Sequence, residues 1–144
     1  MSKVAIVVAS DHAGFELKEI LKKELELLDM QIEDLGVYDM EAVDYPDIAN
    51  ALAAVVSAGG GRRGLLLCGT GIGASIAANR HRRVRAALCH SAETARMARQ
   101  HNDANVLVLG GRVLDPDTAR ECLRVFLDTA FLGGRHEPRV AKLA

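Results

Sequence analysis

The sequence predicts an α/β protein in which a parallel β-sheet lies between two layers of helices. Three observations predict it. Short apolar runs without alternation, such as Val4-Ala5-Ile6-Val7-Val8, read as strands buried on both faces. These runs take turns with segments whose apolar residues recur at helical spacing. A length of 144 residues with 49% hydrophobic content suits one domain, spanning 1–144, around one core.

Val4 to Ala9 opens the sheet as a fully buried strand. In the helix after it, Phe15, Leu17, Ile20, Leu21, Leu25 and Leu28 form the apolar stripe, and Lys18, Glu19, Lys22, Lys23 and Glu26 fill a face expected to meet solvent. Gln31 to Leu35 is a weaker strand and Ile48 to Ser57 a helix. Gly59-Gly60-Gly61 makes a turn into the strand Gly64 to Leu67, and a short helix covers Ile72 to Asn79. Arg85 to Cys89 is the fourth strand, and Ser91 N-caps a helix reaching Gln100. Val106 to Leu109 is the fifth strand, and Asp115-Pro116 introduces a last helix to Leu132. Five strands separated by helices imply a doubly wound, Rossmann-like parallel sheet in a three-layer α/β/α sandwich.

Composition narrows the function classes. A net charge of −1, with two Tyr, three Phe and no Trp, offers nucleic acid neither a basic field nor a stacking platform. The one basic cluster, Arg80-His81-Arg82-Arg83-Val84-Arg85, reads as cations meeting the negative end of a helix. Cys68, Cys89 and Cys122, an odd set without CxxC spacing, argue against a disulfide framework and a zinc cluster and fit a reducing cytoplasm. The apolar run after Met1-Ser2-Lys3 is too short for a signal peptide or a membrane span, so a cytoplasmic protein without a membrane partner is expected.

In a doubly wound sheet ligands bind beyond the carboxyl ends of the strands, and those positions here hold Asp11-His12, Cys68-Gly69-Thr70 and Gly110-Gly111-Arg112. Each residue alone has a plain structural reading: Asp11 as a helix cap, His12 on the surface, Cys68 as a small buried filler. Together at one rim they indicate a site. Cys68 passes straight into Gly69, Gly71 and Gly73, whose bare N–H groups suit an anion, and it stands beside the positive end of a helix, the setting of a reactive thiol. Gly69, Gly71 and Ala74 satisfy a permissive dinucleotide fingerprint, but Cys89-His90-Ser91 stands where its acidic residue belongs, so a nicotinamide cofactor is not expected. A Walker loop lacks its Lys-Ser/Thr, and a cysteine phosphatase would need arginine where Ala74 stands. What remains is a small-anion loop beside a thiol. Arg135 and Arg139, after Gly133-Gly134, have the spacing of a phosphate clamp, and Gln100-His101-Asn102-Asp103-Ala104-Asn105 is a second polar cluster.

Asp11-His12-Ala13-Gly14, Asp44-Tyr45-Pro46-Asp47, Cys68-Gly69-Thr70-Gly71-Ile72-Gly73, Ala77-Ala78-Asn79, Arg99-Gln100-His101-Asn102-Asp103 and Gly133-Gly134-Arg135-His136 together resemble the type B ribose-5-phosphate isomerases and their sugar-phosphate isomerase relatives. The resemblance spans nearly the whole chain. It implies interconversion of ribose 5-phosphate and ribulose 5-phosphate, a step of the pentose phosphate pathway, with no metal or organic cofactor. Cys68 becomes the base that moves a proton between C1 and C2 through an enediolate, with Thr70 and the N–H groups of Gly69, Gly71, Ile72 and Gly73 around the enediolate oxygens. His101 becomes the ring-opening residue. Asp11, Tyr45 and Asn102 would contact the sugar, and His12, Arg112, Arg135 and Arg139 the phosphate. Some members carry a glutamate at the place of Ala74 instead of the thiol, so this chain is of the cysteine type. Galactose-6-phosphate isomerase subunits and an allose-6-phosphate activity share the scaffold, leaving a six-carbon substrate as the alternative.

His101 and Asn102 precede the fifth strand, so in a parallel sheet they start at the rim opposite Cys68. The expectation is a homodimer, or two such dimers in a homotetramer, whose sites are shared between subunits. Two other classes compete: a hydrolase in which Cys68, His101 and Asp103 act as nucleophile, base and orienter, and a sensor that binds sugar phosphate without turnover.

Overall fold

The computed structural model describes residues 5–144; Val4, with which the first predicted strand opens, and Met1 to Lys3 lie outside the described residues. The chain runs β1 (Ile6–Ser10), α1 (Phe15–Leu27), β2 (Ile32–Asp34), α2 (Tyr45–Ser57), β3 (Gly64–Cys68), α3 (Ile72–Ala78), β4 (Ala86–Leu88), α4 (Ala92–Asn102), β5 (Val106–Gly110), α5 (Pro116–Asp128), a 3-10 turn (Gly134–His136) and α6 (Glu137–Ala141). All strand pairs are parallel, in the order β2-β1-β3-β5-β4. The α/β class and the five strands of the sequence reading are therefore present. The placement of β5 between β3 and β4 is new.

Every residue of β1, β3 and β5 is buried, as their apolar runs require, and Ser10 at the end of β1 is buried with them. Alternate side chains serve two cores. Ile6, Val8, Leu65, Leu67, Leu107 and Leu109 pack with residues of α1, α4 and α5, while Val7, Ala9, Leu66, Cys68, Val106 and Val108 pack with α2 and α3. These are the two outer layers of the sandwich. Edge strand β4 is only half-buried, and Asn79, at the end of α3, pins it by accepting from Ala86 N at 2.7 Å and donating to Ala86 O at 2.9 Å.

Helix ends follow their local chemistry. Ser91 caps α4 through Thr94 N, with Thr94 closing a reciprocal capping box, and Asp115 accepts from Thr118 N ahead of Pro116. Helix α2 starts at Tyr45 rather than Ile48, because Pro46 is tolerated in a first helical turn and Asp44 takes the cap position. Helix α5 ends at Asp128 rather than Leu132, where Thr129 turns extended. In the basic cluster, Arg83 donates to Ser57 O and Arg85 to Asp103 O, so these cations do meet the carbonyl ends of helices.

One expectation for α1 is corrected. Lys18, assigned to the solvent face, is fully buried, since its Nζ donates to Asp34 Oδ1 at 2.7 Å and to Val37 O. Glu24 of the same helix is buried against Arg124 of α5. Partners on neighbouring elements, invisible to periodicity, make these burials tolerable.

Candidate active site at the carboxyl rim

From β1 the chain moves outward to β2 in one direction and to β3 in the other, so the carboxyl ends of β1 and β3 flank the switch point of the sheet. Asp11 and His12 leave β1 there, and Cys68 ends β3. Strand β5 brings Arg112 to the same place: Cys68 pairs with Gly110, Gly111 N donates to Cys68 O at 2.7 Å and Arg112 N to Gly69 O at 2.9 Å. The Arg112 guanidinium lies over Gly69, where a Cβ would be in ordinary contact with its Nη1 at 3.6 Å. The loops meet this tightly because glycines line the contacts. A Cβ on Gly14 would sit 2.7 Å from the Leu67 carbonyl carbon, and one on Gly110 2.6 Å from Thr70 O.

The thiol is nearly buried, at 5% exposure, and it is not a bare filler: Gly71 N donates to Cys68 Sγ at 3.1 Å. Gly71 holds φ +84°, so the backbone favours glycine there, and a Cβ would press on the end of the Leu88 side chain at 2.5 Å. Thr70 Oγ1 accepts from Ile72 N at 3.2 Å, which leaves the hydroxyl proton to donate elsewhere. Tyr45 lies across Gly73, 2.4 Å from where a Cβ would stand, so the predicted pocket tyrosine does border the loop. Asp11 Oδ1 accepts from Gly14 N at 3.0 Å and closes the turn ahead of α1, whose N-cap is Gly14 itself, so Asp11 holds the entry to the helix without being its cap. His12 Nδ1 accepts from Val43 N at 3.2 Å, which puts the ring proton on Nε2 as a donor.

His101, Asn102, Arg135 and Arg139 are elsewhere. The end of α4 leads into the start of β5, at the amino rim, and the 3-10 turn packs there as the His136 ring stacks on His101 at 4.4 Å. Burial, with His101, Arg135 and Arg139 close by, holds His136 below the usual imidazole range. Within one chain the predicted residues thus form two groups on opposite rims, and Arg112 is separated from the other two clamp arginines. The hydrolase constellation fails on this geometry. Asp103, its orienting residue, is engaged by Arg99 at 2.9 Å and by Arg85 at 3.4 Å instead of by His101. The sequence reading missed the stack on His136; the one signal was its place in the Gly133-Gly134-Arg135-His136 motif.

An open parallel sheet with a hydrogen-bonded thiol, a glycine loop, an imidazole donor and an arginine at its switch point defines a Rossmann-like α/β protein built for a small anionic ligand. Residues 6–143 match the family described as Ribose/Galactose Isomerase. The ribose 5-phosphate isomerase structure from Thermotoga maritima superposes with TM-score 0.94 at 50% identity, covering 97% of each chain. That of ribose-5-phosphate isomerase B from Mycoplasma genitalium with bound ribulose 5-phosphate superposes with TM-score 0.95 at 39% identity, over 99% of this chain and 95% of the other. A D-erythrulose-4-phosphate isomerase of Pectobacterium atrosepticum is 39% identical over 97% of this chain and 93% of its own length. The chain belongs to the ribose/galactose isomerase family.

Proposed function

We propose that this protein interconverts ribose 5-phosphate and ribulose 5-phosphate by cysteine-based proton transfer. The Gly71 N–H on the Cys68 sulfur, 3.1 Å away at the switch point, carries the reading, because it is a donor positioned for a sulfur that bears negative charge during turnover. The Cys68 thiolate takes the proton from C2 of the open-chain aldose. The electron pair moves into the C1–C2 bond, and the C1 oxygen gains a proton, leaving an enediol or enediolate. Return of the proton from sulfur to C1, with loss of the O2 proton, gives the ketose. The Thr70 hydroxyl, whose acceptor side is filled by Ile72 N, serves as proton donor at these oxygens. His12, through Nε2–H, and Arg112 hold the phosphate from this rim.

The remaining residues belong to a partner subunit in this reading. His101, set against His136, opens the furanose ring by moving a proton between ring oxygen and hydroxyl; Asn102 contacts the sugar, and Arg135 and Arg139 complete the phosphate clamp. The separation of the two groups on one chain supports a shared site in a homodimer or in a tetramer of two dimers. No metal or organic cofactor has a step in this chemistry, and the place of work is the cytoplasm, in the pentose phosphate pathway. Relatives with four-carbon and five-carbon substrates leave sugar length as the second reading, extended to allose or galactose 6-phosphate.

The test is conversion of ribose 5-phosphate in EDTA by wild type and Cys68→Ala. Wild type turns over, and the variant loses about 10³-fold in kcat, the scale of a general acid–base residue. An active Cys68→Ala overturns the thiol mechanism, and an inactive wild type moves the search to six-carbon sugar phosphates.

A further inference from the structure

Lys18 has a hydrogen-bonded cation where surface periodicity places a solvated one, and nothing in the proton-transfer chemistry uses it. Its side chain is fully buried, with Nζ 5.5 Å from the Phe15 ring centre and 5.4 Å from that of Tyr38. Nζ donates to Asp34 Oδ1 and to the carbonyl of Val37. Asp34 is the last residue of β2, and the segment after it is tied down around this pair. Gly36 N donates to Asp34 Oδ1 at 2.9 Å, Tyr38 Oη to Asp34 O at 3.0 Å, Val37 N to Ser10 O at 2.8 Å, and Ser10 N to Gly36 O at 2.8 Å. Beyond residue 38 the segment is exposed until α2. It meets the rim at His12, whose Nδ1 accepts from Val43 N at 3.2 Å.

We infer that Lys18 is a positioning residue for the carboxyl-rim site: by fixing residues 34–38 it delivers the Val43 N–H that keeps the His12 proton on Nε2, facing the phosphate. A buried ion pair adds little net stability after desolvation, so the return on burying Lys18 is geometric. Burial pushes the Asp34 carboxyl up, but hydrogen bonds from Lys18, Lys22 and Gly36 N outweigh it and hold the group below its ordinary range. Lys22, at 2.9 Å from Asp34 Oδ2, shares the carboxylate, but its one carboxylate partner within the segment is Asp34 and it makes no bond to Val37. It is the natural control. The inference rests on the reading of His12 as a phosphate ligand.

Three variants test it. Lys18→Met keeps the length of the side chain and leaves Lys22 to neutralise Asp34; Val43→Pro deletes the terminal N–H at an exposed position; Lys22→Met removes the outer cation. Steady-state kinetics on ribose 5-phosphate are combined with ¹⁵N NMR of the histidine rings, His12 being assigned by its absence in His12→Asn. Lys18→Met and Val43→Pro should each raise KM about tenfold, the scale of one hydrogen bond to a charged group, with kcat changed less than about twofold. In both, His12 loses its single Nε2–H tautomer, and Lys22→Met shows neither effect. A lowered melting temperature of Lys18→Met with KM and the His12 tautomer unchanged reduces Lys18 to a structural residue and overturns the inference. If Lys18→Met does not fold, Lys18→Gln is judged by the same two readouts, and unchanged values in it or in Val43→Pro are equally fatal. Wild type without turnover of ribose 5-phosphate defeats the substrate reading alone, because the tautomer is read without substrate.

Discussion

Among single residues, the three cysteines show how environment divides identical chemistry. Cys68 meets a backbone donor at the rim, whereas Cys89 and Cys122 are buried in the core between the sheet and α4 and α5. Burial, with Cys89 and Glu121 nearby, pushes the Cys122 thiol up to about 11, and burial likewise raises Cys89. An unfolded thiol releases its proton near its ordinary value while the folded ones keep theirs, so the folded chain binds more protons across this window. Stability is therefore expected to fall as pH rises from about 9 to about 11, by about 2 kcal/mol from Cys122. Denaturant midpoints at either end of that window check it. Cys89→Ala/Cys122→Ala should lose less midpoint over the interval than wild type, and an equal loss would refute the assignment. From sequence alone Cys68 was separable from the others, since only it runs into alternating glycines. Lys18 was misread because a helical stripe records which positions are apolar, whereas its burial is decided by Asp34, on a different element.

At the scale of elements, strands were legible where burial is complete, because β1, β3 and β5 are apolar along almost their whole length. The order β2-β1-β3-β5-β4 was not, since nothing local tells β5 to pair with β3. The 3-10 turn and α6 also escaped notice: three and five residues are too few for a helical period to show. The clamp between elements is where sequence and packing meet. Gly14, in a conformation open to any residue at φ −96°, faces the backbone of Leu67 so closely that a methyl group has no room. Gly14→Ala should force α1 away from β3, cost about 2 kcal/mol as overpacking against backbone does, and impair activity because Gly14 N also holds Asp11. Gly59→Ala is the contrast: at φ +95° in open space it should cost about 1 kcal/mol of backbone strain and leave kcat/KM unchanged. Thermal melts and kinetics on the pair separate the two, and a Gly14→Ala variant as stable as wild type would disprove the close approach.

The whole molecule poses the question that neither residues nor elements answer, why the residues proposed for one site stand on two opposite rims of the chain. In a parallel sheet the ends of all strands share one rim and their beginnings share the opposite one, so Cys68, which ends β3, and His101, which precedes β5, cannot meet without a second subunit. That much followed from the order of motifs along the sequence. Which arginine stands at which rim did not, because Arg112 is carried to the thiol by the β3–β5 pairing, and Arg135 and Arg139 to the His101–His136 stack by the 3-10 turn and α6. Two inactive variants should therefore rescue each other. Cys68→Ala spoils one half-site and His101→Asn the other, and in a mixed dimer one of the two sites receives Cys68 from one chain and His101 from its partner, both intact. Random reassembly of an equal mixture makes about half of the dimers mixed, each with one good site in two, so about a quarter of wild-type activity on cyclic ribose 5-phosphate should return. Each variant alone, carried through the same unfolding and refolding, should stay inactive. If the mixture remains as inactive as its components while sizing shows that mixed dimers have formed, the two rims do not share a site, and His101 has to act somewhere other than on the sugar held by Cys68.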